Sequence, residues 1–433
     1  MQGCVLLLQD VPENTEIGID LKFWRVGKRF RGIKNIPAGF HYVYFSMSDL
    51  EVQLEQDEYR LKAGELYVRR KTSEMRSELQ PSFVDFEDIR LTSVDIDRLT
   101  DNIKELSMYL GPYPSEHCRD WIALTNFISP SSLDRLLPEC GRINSCAQFL
   151  SQQSSSQQRL ALRNEISSPV FTNPEDLLPK LDIVPGTEIR FSHLPRNPLF
   201  PSDSEPLDIT AHGIDQTYTL DTVLNTLSSG CESEENRMDR WKGLLTKERE
   251  ILAELQFSYV AFLLNHVLDG WWHWRRIVRL LANCERAVRL RPQLYIDLLT
   301  VLYHQLCSAS QSKNFLESDS SDISTAELAD LFFSEAADVH QASSTEPAFL
   351  PSVMRKLLRN ILYSTANSSV NNEGIDGVFG LLHQRAEGFC HSLEQRFHWG
   401  ITPKSLCNDN KVTDVLVDDV DWDGDEAPVI VQM

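Results

Sequence analysis

The sequence predicts an α+β protein: a β-rich, sandwich-like amino-terminal domain followed by an all-helical carboxy-terminal domain. Three features carry this. Short β-branched and aromatic runs separated by turn residues fill residues 1 to about 90. Wide apolar stripes at helical spacing fill residues 252–306. Between them lie a Ser/Gln-rich stretch, 150–168, too polar to pack alone, and a Pro-rich stretch, 169–206, that forbids long helices.

Taken in order, Val5–Leu8, Glu16–Ile19, Arg29–Ile33 and Phe40–Phe45 read as strands, with Glu65–Arg70 a further one. Pro12-Glu13-Asn14, Val26-Gly27 and Pro37-Ala38-Gly39 supply the turns between them. No helical crossover separates these strands, which favours a sandwich or barrel over a parallel sheet. Ile96, Leu99, Ile103, Leu106 and Leu110 recur at helical spacing, predicting a helix that ends at Gly111-Pro112. A short helix carrying Trp121, Leu124 and Phe127 follows, and Gly186–Phe191 reads as an isolated extended strand. Leu252 to Val267, Trp274 to Val288 and Leu294 to Leu306 give three amphipathic helices, the last starting after Pro292. Short connections require them to pack antiparallel. Further stripes lie at Leu328–Ala336 and from Val378 to Phe397, and no textual repeat recurs. The expected segmentation is 1–150 β-rich, 151–209 linker and extended connection, 210–400 helical, and 401–433 an acidic tail ending in a short strand.

The chain has 433 residues, 42% hydrophobic and 24% charged, with a formal net charge of −21. That sign argues against a protein whose main business is coating nucleic acid. Residues 315–338 carry seven acidic groups and no basic one, and residues 409–426 carry eight against Lys411. Nine cysteines without a Cys-x-x-Cys pair read as reduced packing thiols, as at Cys284 and Cys390. With no signal-peptide core and no membrane-length apolar run, a soluble intracellular protein is expected.

Chemical motifs are sought and not found. Gly-x-Gly-x-x-Gly, Gly-x4-Gly-Lys-Ser/Thr, Gly-x-Ser-x-Gly and His-Glu-x-x-His are all absent from the sequence. His266 and His273 share a helical face in principle, but helix histidines are commoner than ligands. The alternating aspartates from Asp418 to Asp425 lack the EF-hand loop pattern. The expectation is therefore no catalytic residue, no metal and no cofactor. Two segments suggest partner contacts. The first is the basic run holding Lys28, Arg29 and Arg31, interleaved with Trp24 and Phe30. It suits an acidic protein surface or an RNA backbone, or is simply a solvated strand face with its aromatics turned inward. The second is Pro428-Val429-Ile430-Val431, a β-prone run suited to adding a strand to a partner's sheet edge, or to pairing with this chain's own sheet.

Five strings in register resemble the AAR-two family of pre-mRNA splicing factors. They are Val11–Asp20 with Trp24 and Gly27–His41; Leu110–Pro114 with Trp121 and Leu124–Ile128; Gly186–Ser192; Glu254–Phe257 with Phe262–Leu264 and Trp274; and Ala427–Val431. The resemblance implies a non-enzymatic factor assisting assembly of the U5 small nuclear ribonucleoprotein. It implies a sandwich-like amino-terminal domain, a linker and a helical domain similar to VHS domains. It implies binding to the RNase H-like and Jab/MPN domains of the Prp-eight scaffold, which would keep the helicase away, in the cytoplasm and nucleus. A segment around 341–376 looks longer than the family pattern.

Overall fold

The computed structural model describes residues 4–8, 11, 13–46, 105–141, 143, 184–227, 240–307, 349–366 and 376–408. The expected strand 65–70, the helix through Ile96–Ile103, the linker 150–168, the stripe 328–336 and the acidic tail lie outside these residues. The architecture is α+β, as the alternation of strand and helix periods predicts. By proximity the chain divides into two units: Met1–Phe191 with Gln256–Trp271, and Ser192–Leu255 with Trp272–Met433.

The first unit holds two three-stranded sheets. In one, β2 (Glu16–Ile19) lies between β3 (Lys22–Arg25) and β5 (Val43–Ser46), both antiparallel. Asp20 and Leu21 form the two-residue hairpin turn, with Asp20 at φ 56°. In the other sheet, β4 (Gly32–Ile36) lies between β1 (Cys4–Leu7), antiparallel, and β6 (Leu110–Pro112), parallel. Ile19, Ile33, Ile36, Val43 and Tyr113 gather into one buried cluster, on which Trp24 and Phe30 pack.

Three sequence expectations change here. The strand expected at Arg29–Ile33 begins only at Gly32, because Gly27–Arg31 is spent on the turn after β3. Leu110–Pro112 is a strand rather than a helix end, and it pairs in parallel with β4. The long chain between β4 and β6 supplies the connection that parallel strands need. Gly186–Phe191 forms no strand. The Arg190 amide donates to Leu136 O and its guanidinium to Asp134 O and Leu137 O, which anchors the segment without a ladder.

Gly32 sits at φ 137°, where a Cβ would run into the Leu6 carbonyl across the β1–β4 pair. Gly32→Ala is expected to lower stability by about 2–3 kcal/mol, read as a shift of the urea midpoint. An unchanged midpoint would refute the close approach. After the sheets come α1 (Cys118–Thr125) and α2 (Pro130–Leu136), the latter capped by Ser129 Oγ accepting from the Ser132 amide at 3.1 Å. Gln256 ties into the same unit: its Oε1 accepts from the Phe127 amide, and its Nε2 donates to Ala123 O and Asn126 Oδ1.

The second unit is helical: α3 (Pro206–Ile214), α4 (Thr217–Leu227), most of α5 (Arg240–Asn265) and α6 (Leu268–Ala282), then α7 (Glu285–Leu290), α8 (Pro292–Leu306), α9 (Phe349–Ala366), α10 (Asp376–Phe397) and α11 (Pro403–Asn408). Pro206, Pro292 and Pro403 open their helices, where a missing N–H costs nothing. Helix α10 packs on α8 and α9, and α9 packs on α7 and α11. Leu298, Leu302, Leu357, Leu358, Leu382 and Leu393 are all fully buried in this unit. Among the described residues, no helix is long and apolar enough to cross a membrane.

Candidate protein-docking surfaces

The turn after β3 is built by backbone bonds: Val26 N donates to Thr15 O, Asn14 N to Val26 O, and Phe30 N to Gly27 O. Arg31 N donates to Tyr109 O, which fixes the turn beside the single helical turn Ser107–Tyr109. Phe30 and Trp24 point into the core clusters, so the cations alternate outward. Lys28, Arg29 and Arg31 are exposed. Lys28 Nζ lies 3.3 Å from Glu13 Oε2, and Arg31 Nη1 donates to Phe30 O. Two other members of the run are committed elsewhere: Arg25 to Glu16 at 2.9 Å, and Lys34 to Ser107 O and Oγ. The structure therefore joins a solvated strand face with inward aromatics to three exposed cations at its tip, beside Met108, which is 77% exposed. Pro428, Val429, Ile430 and Val431 lie outside the described residues.

Sequence reasoning missed α3. The Pro-rich reading forbade long helices before 206, yet Pro206 is a first-turn residue, and a nine-residue helix starts there. None of its residues is buried. Leu207 is 80% exposed and Ile214 69%, seven positions apart on one stripe. Residues 197–227 around it carry Asp203, Glu205, Asp208, Asp215 and Asp221 and no lysine or arginine. The available signal was Ser-Glu-Pro, with Leu207 and Ile214 seven positions apart.

Two carboxylate hubs resemble catalytic groupings, but their geometry suits support. Buried Asp20 accepts from the Tyr42 amide at Oδ1 and from the Tyr113 hydroxyl at Oδ2, 2.6 Å away, with His41 Nδ1 at 2.8 Å. His41 Nε2 faces Pro37 O, so neither ring nitrogen is directed at solvent. Burial, then Asp20, pushes the Tyr113 phenol far above its ordinary range. In the second unit, Glu254 Oε1 accepts from the Ser192 amide and Oε2 from Ser192 Oγ, and His273 Nε2 lies 2.7 Å from Oε1. The serine hydroxyl donates its hydrogen bond to the carboxylate, which fixes the segment around Ser192 to α5. His266 stands exposed after α5 at φ 54°. Burial pushes the Cys307 thiol up to about 11 and the Cys284 thiol well above its ordinary value, which keeps both protonated. Among the described residues, no group of three or more metal-ligating side chains gathers.

The fold and these faces define an α+β protein of two units, with exposed cationic and apolar surfaces. Residues 2–138 match the AAR2 N-terminal domain, and residues 191–402 the AAR2 C-terminal repeat region. The chain is 32% identical to the Protein AAR2 homolog of Homo sapiens over 349 residues, covering 78% of this chain and 84% of that protein. It is 31% identical to that of Mus musculus over the same shares, and 30% identical to that of Caenorhabditis elegans over 70% of this chain and 78% of the relative. The chain belongs to the AAR2 family.

Proposed function

We propose that this chain is a non-enzymatic splicing factor that assists assembly of the U5 small nuclear ribonucleoprotein in the cytoplasm and nucleus. In this reading it occupies the RNase H-like and Jab/MPN domains of the Prp-eight scaffold and delays helicase association. The observation that carries it is family membership across both halves of the chain. The amino-terminal sheets are read as sandwich-like and the helical half as VHS-like. The exposed cations of the β3–β4 turn and the strand-prone segment 428–431 are the proposed contacts. The linker 150–168 is proposed as an accessible connection between folded parts, with protease cutting first inside it.

Affinity purification followed by mass spectrometry tests the function. Recovery of U5 proteins is expected, and their absence would overturn the reading. Two variants refine it. Reversing Lys28, Arg29 and Arg31 to glutamate is expected to leave the melting temperature nearly unchanged, because these side chains are exposed. Association with the scaffold domains should slow about tenfold at low salt, with the difference shrinking as salt rises. Deleting residues 427–433 should weaken scaffold binding without moving the melting temperature. A large drop in that temperature would show that the strand belongs to this chain's own fold.

A further inference from the structure

In a chain of net charge −21, one surface of the second unit is strongly basic. Residues 272–290 carry five arginines against Glu285 alone, and α9 carries Arg355, Lys356 and Arg359 with no acidic residue. Helix α9 packs on α7, and Asn360 Nδ2 donates to Ala282 O at the end of α6. At its other end, Phe349 of α9 lies 4.2 Å from the Arg275 guanidinium and 5.4 Å from that of Arg279. Arg275 is thereby stacked between Phe349 and Trp272, the latter at 4.8 Å and 45% exposed. These contacts align α6, α7 and α9 into one face. Arg276 of α6 and Arg286 of α7 are exposed, and Arg359 of α9 is half-buried. Arg276, Arg286 and Arg359 make no ion pair among the described residues.

The chain itself carries a complement. Helix α11 packs on α9, and from Asn408 the chain continues into 409–426, with eight acidic residues against Lys411. Fully extended, that segment spans roughly 60 Å, whereas the 18-residue α9 is about 27 Å long. The tether begins at a helix packed on α9 and is long enough to reach along it. Tethering holds the carboxylates at a high local concentration, so even weak pairing is populated.

We infer that the acidic segment 409–426 docks on the α6–α7–α9 face of its own chain, as an interaction surface for acidic polypeptide. This concerns residues before the strand-prone 428–431 and stands independently of the proposed scaffold contact.

The test uses two full-length chains: the native one, and one in which the eight acidic residues of 409–426 are replaced by their amides. The probe is a dye-labelled synthetic peptide of residues 409–426, followed by fluorescence anisotropy. The peptide is expected to bind the amide-tailed chain at least about tenfold more tightly than the native chain, whose own tail occupies the face, and to weaken as salt rises. Arg276→Glu, Arg286→Glu and Arg359→Glu together in the amide-tailed chain should abolish binding with the helical circular dichroism retained; Arg276→Glu alone serves if the triple variant does not fold. Equal binding to the native and amide-tailed chains would assign the face to another protein's acidic segment and overturn the inference. So would binding indifferent to charge reversal, or displacement of the peptide by a single-stranded RNA oligonucleotide at matched charge.

Discussion

Asp20→Ala is expected to destabilise the first unit by about 3–5 kcal/mol, the largest loss from any single side chain of its sheets. Asp20 is buried, and its carboxylate is the acceptor for the Tyr42 amide and the Tyr113 hydroxyl, with His41 Nδ1 facing the same oxygen as Tyr113. Alanine leaves those groups buried without their acceptor, at about 1–3 kcal/mol each before relaxation. It also places a residue with no local hydrogen-bonding side chain at φ 56°. Asp20→Asn retains the turn conformation and one acceptor oxygen, so about half that loss is expected. Hydrogen exchange in β2 and β5 reads the difference locally. Equal protection in native and alanine chains would show that the hub does not hold the sheets.

Arg291→Ala is expected to cost the second unit about 3–5 kcal/mol. Its guanidinium joins Glu248 of α5 at 2.9 Å and Asp221 of α4 at 2.8 Å, from the start of α8. Burial raises the Glu248 carboxyl above its ordinary range, and the Arg291 hydrogen bond offsets only part of this. Arg291, although burial opposes its charge, holds its proton more tightly between the two carboxylates. A carboxyl with a raised folded value contributes most below its unfolded pKa and loses that contribution as pH rises through the folded one. Without Arg291 the offset disappears, so the loss should be greater at neutral pH than at mildly acidic pH. Glu248→Gln should be close to neutral and should flatten that dependence. Urea midpoints at two pH values decide it, and a pH-independent loss would remove the proposed role of Glu248.

Legibility followed periodicity. The helices through Trp274 and Leu294 were readable because a buried face imposes a repeat on the residues that form it, whereas the helix through Leu252, buried on all sides from 251 to 261, was readable from its apolar content and length. Helix α9 was equally readable from Val353, Leu357, Ile361 and Ser364, yet the sequence gives its surroundings as a lengthened segment with no element assigned. Strand β3, Lys22-Phe23-Trp24-Arg25, reads first as charge. Trp24 packs on the core cluster and Phe23 on Tyr44 of the opposite face because a hairpin turn at Asp20 sets the register. The Asp20 hub leaves almost no sequence signal, since His41 and Tyr113 are 21 and 93 positions away. Of the candidate contacts, the cations at 28–31 were legible as a run, whereas the division between outward Arg29 and Arg31 and internally tied Lys34 depends on where Ser107 falls.

Because residues 256–271 group with Met1–Phe191 while 192–255 group with the remainder, the gene for the first unit is interrupted by part of the second. No single stop codon or start codon can therefore excise either unit whole. A fragment ending near residue 191 omits Gln256, and with it three hydrogen bonds to α1 and the residues just after it. One beginning near 192 carries that stretch without its companions. Genetic dissection of this chain calls for internal replacement or circular permutation rather than truncation, and two-hybrid fragments cut at the apparent linker would report on incomplete folds.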